Sequence, residues 1–263
     1  MKIKIHRHTR EKTIIFFISS SIPIITLFAA IQYKPPKGNI PKALKEIEAL
    51  IGEAAQEGAS LVVLPEMATT GYVWPDKESI RPHTETKDGH TFQTLSALAK
   101  EHRIWIVCGY AEREEETFYN SALVINSLGE CVCNYRKVLL YDADYTWATP
   151  GTIRYLIESP FGVIAPGICM DLNDYRFVRF LAAQRPDIVV FCTNWLDEGD
   201  PVLDYWQNRL MYWSGTFIAA NSWGPEENIA FRGESCILDH SGEVVSIATQ
   251  TENQILYAPL PSK

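Results

Sequence analysis

The chain has little of what metal and nucleotide sites are usually built from. It contains six histidines, two of them (His6 and His8) within the first ten residues, and no cysteine pair at CxxC spacing. Without such pairs or a His/Cys cluster there is no zinc framework, so a metal-dependent hydrolase lacks its ligand set. No GxGxxG run and no GxxxxGK[ST] run is present, which removes the usual dinucleotide and triphosphate cradles. Positive charge is also scarce: 24 Lys and Arg against 32 Asp and Glu give a net charge of −8. Nucleic acid needs a clustered basic face, so no nucleic-acid partner and no cofactor are expected. No internal repeat and no Gly-, Ser- or Pro-rich linker divides the chain. With 46% hydrophobic and 21% charged residues, it suits one large core, expected from residue 24 to residue 263.

The cysteines stand at 108, 131, 133, 169, 192 and 236. A chain of this size needs no disulfide scaffold, and all but Cys169 read as small buried apolar residues. Cys131 and Cys133, separated by one residue, are expected to point the same way on a strand. The N-terminus is harder to read. Met1 to Lys12 carries five basic residues and one acid, and no charge follows from Thr13 to Tyr33. Membrane anchor, secretory signal ending at Ser19-Ser20-Ser21 and inert leader are the three readings. If Ile24 to Gln32 is the first core strand, too few apolar residues remain before it to span a bilayer. The expectation is a leader over residues 1–23 on a cytoplasmic protein, with export or anchoring through residues 1–31 as the alternative.

Beyond the leader, strand and helix patterns alternate. Apolar residues at 43, 44, 47, 50, 51, 54 and 55 give helical spacing over Pro41 to Gln56, closed by Gly58. Leu61 to Leu64 is a continuous apolar run, as in a strand covered on both faces. A helix over Phe92 to His102 and a strand over Ile104 to Tyr110 follow. Ser121 to Ser127 and Cys131 to Arg136 read as a hairpin around Ser127-Leu128-Gly129-Glu130. The strand Phe161 to Ile168 comes next, then a helix over Asp174 to Arg185 and a strand over Asp187 to Thr193. A helix over Val202 to Ser214 and strands over Phe217 to Asn221, Ser235 to Leu238 and Val244 to Ala248 complete the pattern. A mixed α/β sandwich with both sheet faces covered is expected.

Three chemically useful residues follow strand ends on that frame. Glu66 ends Leu61-Val62-Val63-Leu64-Pro65-Glu66, Lys137 follows Asn134-Tyr135-Arg136, and Cys169 sits in Gly167-Ile168-Cys169-Met170-Asp171-Leu172 at the start of an expected helix. Sites in open α/β sheets gather outside the carboxyl ends of strands. A thiol, a base and a fixed ammonium together suggest acyl transfer through a thioester.

These segments resemble the nitrilase, or carbon–nitrogen hydrolase, superfamily. The likeness runs from about Ile24 to about Tyr257. It is carried by Ala30-Ile31-Gln32, by Leu64-Pro65-Glu66 with Thr70-Gly71-Tyr72, by Tyr135-Arg136-Lys137, by Gly167-Ile168-Cys169-Met170-Asp171 and by Asn194-Trp195. The resemblance implies a four-layer α-β-β-α sandwich, a Glu66-Lys137-Cys169 triad and a homodimer, with the Asp174–Arg185 and Val202–Ser214 helices available for the contact. Glu66 would take the thiol proton, Lys137 would steady the oxyanion, and Glu66 would then activate water. A free thiol has a pKa near ~8.5, so a base is needed at neutral pH.

A second acid often completes such sites. Aligning on Thr149-Pro150-Gly151 puts Asp144 where many relatives carry glutamate, one methylene shorter; Glu112 is a weaker candidate, on what reads as a solvated hairpin end. Tyr72, Trp74, Trp147 and Trp195 are expected to wall the pocket, with Met170, Asp171 and Asn194. Asn173 stands where the common pattern has arginine. That string is similar to the branch that deamidates N-terminal Asn or Gln, in which Asp171 or Asp144 would pair with the substrate's α-ammonium. The expected reaction is hydrolysis of a small non-peptide amide, releasing ammonia or an amine. N-terminal Asn/Gln deamidation and nitrile or N-carbamoyl hydrolysis are the alternatives. All three triad residues are present, which argues against a catalytically dead binding module.

Overall fold

The computed structural model describes residues 26–259. The expected leader at 1–23, and the first two residues of the strand expected from Ile24, lie outside the described residues. Two six-stranded mixed sheets form the centre. The first contains β1 (Leu27–Gln32), β2 (Ala59–Val63), β3 (Trp105–Glu114), β4 (Thr117–Ile125), β5 (Cys131–Arg136) and β14 (Gln254–Pro259), in the order β14-β1-β2-β3-β4-β5. The second contains β6 (Ile157–Ser159), β7 (Gly162–Ile168), β8 (Ile188–Thr193), β9 (Thr216–Asn221), β12 (Cys236–Leu238) and β13 (Val244–Ile247), in the order β13-β12-β9-β8-β7-β6. A separate hairpin pairs β10 (Trp223–Glu226) with β11 (Ile229–Arg232). The helices are α1 (Ile40–Gln56), α2 (Lys77–Ile80), α3 (His90–His102), α4 (Tyr175–Gln184) and α5 (Val202–Leu210).

Side-chain alternation builds the four expected layers. In β8, Ile188, Val190 and Cys192 enter the core between the sheets, while Val189 and Phe191 pack outward with Phe177 and Leu181 of α4 and Trp206 of α5. In β1, Phe28 and Ala30 face inward and Ala29 and Ile31 face outward, towards Ile47 and Ile51 of α1 and Leu95 of α3. Both faces of each sheet are therefore apolar, which is why the strands read as continuous hydrophobic runs. Burying each large aliphatic side chain contributes about 1.5–3 kcal/mol. Asn39 caps α1 by accepting from the Lys42 N–H at 3.1 Å, worth about 1 kcal/mol.

Several sequence expectations are corrected. Strand β3 runs on past Tyr110 to Glu114, turns at Glu115 and Glu116, and returns as β4 from Thr117 rather than Ser121. Helix α5 stops at Leu210, not Ser214. Trp213 ends it by folding back over Gly215, where an added Cβ would come within 2.4 Å of its ring, and by donating to Pro186 O at 2.9 Å. Cys131 and Cys133 point to opposite faces, because a register shift between Val124 and Ile125 places two β5 residues where one is due. Strands β10, β11 and β14, like the short β6, are not anticipated from the sequence. The first carries Gly224 and Pro225, which read as a loop.

Candidate active site

Strands β1, β2 and β3 run parallel, as do β7, β8 and β9. The chain leaving the carboxyl ends of β2, β7 and β8 meets at one edge of the sandwich. Glu66 follows β2 through Pro65. Gly109 of β3 makes the turn possible: a Cβ there would lie 2.5 Å from Pro65 O and 2.6 Å from Glu66 Cα. Only glycine permits that approach, and the Gly109 N–H then donates to Pro65 O at 3.1 Å. Glu66 is fully buried. Its Oε1 accepts from Lys137 Nζ at 2.7 Å and from Asn120 Nδ2 at 2.6 Å. Its Oε2 accepts from the Asn194 N–H at 2.9 Å.

Lys137 follows β5 and is equally buried. Its ammonium also donates to Asp144 Oδ2 at 2.6 Å, and it stands 5.7 Å from the Tyr72 ring centroid. Asp144 accepts further from the Tyr141 N–H at 2.9 Å and from Asn120 Nδ2 at 3.2 Å. The aspartate thus reaches the lysine despite its shorter side chain, because the turn Asp144–Thr146 brings its backbone in. Burial alone would depress the Lys137 ammonium, but the Asp144 and Glu66 carboxylates outweigh it and hold it well above its ordinary value. Burial raises the Glu66 carboxyl above the usual carboxylate range; Lys137 pulls it down and Asp144 pushes it further up. Glu66 is thus held in favour of accepting a proton, with its cation fixed beside it.

Cys169 closes β7 with a φ of +42°, a left-handed conformation uncommon for a non-glycine residue. It opens a 3₁₀ turn over Cys169–Asn173, not the helix expected there; α4 begins later, after Asp174 caps it. Burial, and secondarily the Glu66 charge, push the thiol up to about 12 against the pull of Lys137. At neutral pH it is a thiol, so a base would have to remove its proton for the sulfur to act as a nucleophile.

Asp171 has a different role from the one expected. It is buried and accepts from the N–H groups of Val138 and Leu139, both at 2.9 Å, from Ile168 N–H at 3.0 Å and from the Tyr135 hydroxyl at 2.6 Å. All its lone pairs serve to tie the Lys137 segment to the Cys169 turn, leaving nothing for a substrate ammonium. Asp144 is buried against Lys137, the Tyr141 N–H and Asn120, and does not line the cavity. Glu112 is no solvated end: it is buried in β3, accepts from Arg136 at 2.9 and 2.5 Å and from Ser121 at 2.6 Å, and takes no part in the site.

A cavity of about 190 Å³ opens onto Cys169. Tyr72, Met170, Asn194 and Trp195 line it as expected, together with Tyr141, Asn173, Leu196 and Glu198. Trp147 and Trp74 do not. Trp147 packs with Met67, Phe118 and Phe231 behind the site, and Trp74 turns its Nε1 to Gly71 O at 3.0 Å. Asn120, Tyr141, Leu196 and Glu198 were missed by sequence reasoning. A polar residue such as Asn120 in the middle of the apolar β4 is the one signal that was available. Among the described residues, no group of three or more His, Cys, Asp or Glu is arranged to hold a metal ion.

Comparison with known proteins agrees with this geometry. The chain is 28% identical to the protein N-terminal amidase of Schizosaccharomyces pombe, over 81% of this chain and 91% of that one. It is 28% identical to a nitrilase of Pyrococcus abyssi, with 86% of each chain covered. It is 29% identical to the 2-oxoglutaramate amidase of Bacillus subtilis, with 82% of each covered. The fold superposes on a crystal structure of an amidase from Nesterenkonia sp. with a TM-score of 0.80, at 23% identity and 90% coverage of both chains. The carbon–nitrogen hydrolase family model matches residues 27–263. The protein therefore belongs to the carbon–nitrogen hydrolase family.

Proposed function

We propose that the protein hydrolyses the C–N bond of a small non-peptide amide through a thioester on Cys169. The observation that carries this reading is Cys169 lining the cavity with the buried Glu66–Lys137 pair close enough to act on its thiol, and with Glu66 pushed up as a base requires. In the first step Glu66 takes the thiol proton while Sγ bonds to the carbonyl carbon and the carbonyl oxygen becomes an oxyanion. Two of the three Lys137 N–H bonds are committed to Glu66 and Asp144; the third has no partner among the described residues and is available to that oxyanion. The intermediate collapses, Glu66 returns the proton to the departing nitrogen, and ammonia or an amine leaves. Water then gives a proton to Glu66 and attacks the thioester, the acid forms, and Glu66 reprotonates the departing thiolate. The test is ammonia release with mass spectrometry of quenched enzyme. Acyl adducts on Cys169, lost with turnover in Cys169→Ala, are expected; amide hydrolysis by Cys169→Ala sinks the mechanism.

A second reading is the side-chain amide of an N-terminal Asn or Gln. It is supported by a further groove that shares Asn173, Trp195, Leu196 and Glu198 with the Cys169 cavity, continues past Asp200 to Tyr205 and leaves room for a following chain. Asn-initiated peptides that release no ammonia remove that reading. The expected homodimer remains a proposal too, supported by Tyr175 of α4 and Tyr205 of α5, which stay exposed with the following Met211 and Tyr212. Sedimentation equilibrium tests it.

A further inference from the structure

We infer that Glu198 is a specificity residue that selects amides bearing a positive charge; the inference rests on the amide-hydrolase reading of the Cys169 site. Among the residues lining the cavity over Cys169, Glu198 is the one that carries a carboxyl group. The Cys169 thiol stays neutral, and burial raises the Tyr141 phenol further from ionisation. The lining contains no lysine, arginine or histidine, so nothing in it neutralises a Glu198 carboxylate.

Of the other acids near the cavity, Asp200 lines only the adjoining groove and not the cavity over Cys169, and the rest are already paired. Glu66 and Asp144 hold Lys137, and Asp171 is filled by backbone N–H groups. Asp197 accepts from Arg232 at 2.9 Å, and Glu234 pairs with the same guanidinium. Among the described residues Glu198 has neither a hydrogen bond nor an ion pair, and it stands exposed at the cavity mouth. The remaining walls suit a cation as well. Tyr72, Tyr141 and Trp195 offer aromatic faces, which attract ammonium groups.

The opposite end of the substrate also has an anchor. Asn194 is 2% exposed, and its Nδ2 is held by Glu66 O at 2.8 Å, while its Oδ1 has no partner. A buried acceptor without a donor is destabilising, and the NH2 of a substrate amide supplies that donor. With the amide held there next to Cys169, the rest of the substrate extends towards Glu198. The recognised class is an amide with an ammonium carried on a short chain, the α-ammonium of a peptide N-terminus being one instance.

The test uses the intact enzyme and a series of ω-amino amides with one to four methylenes, each beside its isosteric alkyl amide, read as kcat/KM ratios. The expected result is a preference for the cationic partner of at least about fivefold at the best chain length, lying mainly in KM and shrinking as salt is raised. Glu198→Gln brings the ratio towards one, Glu198→Asp restores part of it, and Glu198→Lys turns the preference towards amides carrying a carboxylate. A ratio near one at every length in the wild type overturns the inference and leaves amide hydrolysis standing. So does an unchanged preference in Glu198→Gln. Failure of every amide, cationic and neutral, with Cys169→Ala indistinguishable from wild type, overturns the amide-hydrolase reading and this inference with it.

Discussion

Two buried carboxylate–cation clusters leave the same stretch of β5, built on consecutive residues. Arg136 reaches Glu112 as a bidentate pair, with Ser121 completing the carboxylate and Tyr119 stacked 3.7 Å from the guanidinium. Lys137 reaches Glu66 and Asp144. Both look alike as patterns of opposite charge, and only the second faces a cysteine. The first holds one buried carboxylate: the forked guanidinium satisfies Glu112, its second partner Glu114 at 3.1 Å lies mostly in solvent, and 27% of the Arg136 side chain stays in solvent too. The second is unfinished by design of its chemistry: one fully buried cation stands against two carboxylates, so one of them sits close to taking a proton. Burial and pairing alone do not make a site. An imbalance next to a nucleophile does.

That contrast can be broken variant by variant. The largest difference is expected between Glu66→Gln and Glu112→Gln. The first should lower kcat/KM by roughly 10³-fold or more, as loss of an obligatory base does, and the second should leave it within about twofold. Steady-state ammonia release measures both, and equal losses would dissolve the distinction. Next comes stability. Lys137→Met leaves Glu66 and Asp144 buried without their cation and should cost about 3–5 kcal/mol in urea unfolding. Arg136→Met, with its partly solvated head, should cost less than half of that and spare turnover.

The pH profile gives a smaller effect. Asp144 is one cause of the raised Glu66 carboxyl. Asp144→Asn removes that negative charge, so Glu66 ionises at lower pH and the acid limb of kcat/KM moves to lower pH; a shift to higher pH contradicts the proposed coupling. The smallest effect concerns the thiol itself. Glu66 helps hold Cys169 up at about 12, so Glu66→Gln should let it titrate lower. The pH dependence of iodoacetamide alkylation then shifts to lower pH in an enzyme that no longer turns over, whereas Glu112→Gln leaves the curve in place.

Much of this was legible in the chain. The helix spacing of α1, the apolar runs of β2 and β8 and the three strand-end residues Glu66, Lys137 and Cys169 are local patterns, and local patterns survive folding. What escaped was set by contacts far apart in sequence. Glu112 and Asp144 are both acids in polar surroundings, and nothing local says that one faces Arg136 and the other Lys137. Asp171 looks like a pocket acid beside the nucleophile until its four donors are seen, three of them backbone groups from segments more than thirty residues apart or from its own turn. Trp147 and Glu198 exchanged places for the same reason: the aromatic residue went into the packing behind the site, and the loop acid came to the cavity mouth.

The sequence by itself determined the alternating α/β frame and the strand-end placement of Glu66, Lys137 and Cys169, because strand periodicity is written within a few neighbouring residues, while the family and the roles expected of those three residues came from the resemblance of whole motifs. Tertiary structure alone decided which carboxylates are spent and which is left over. That outcome depends on how many donors converge on each acid, and those donors come from β4, β5, β7 and the loops beyond them, brought together only when the two sheets close on one another.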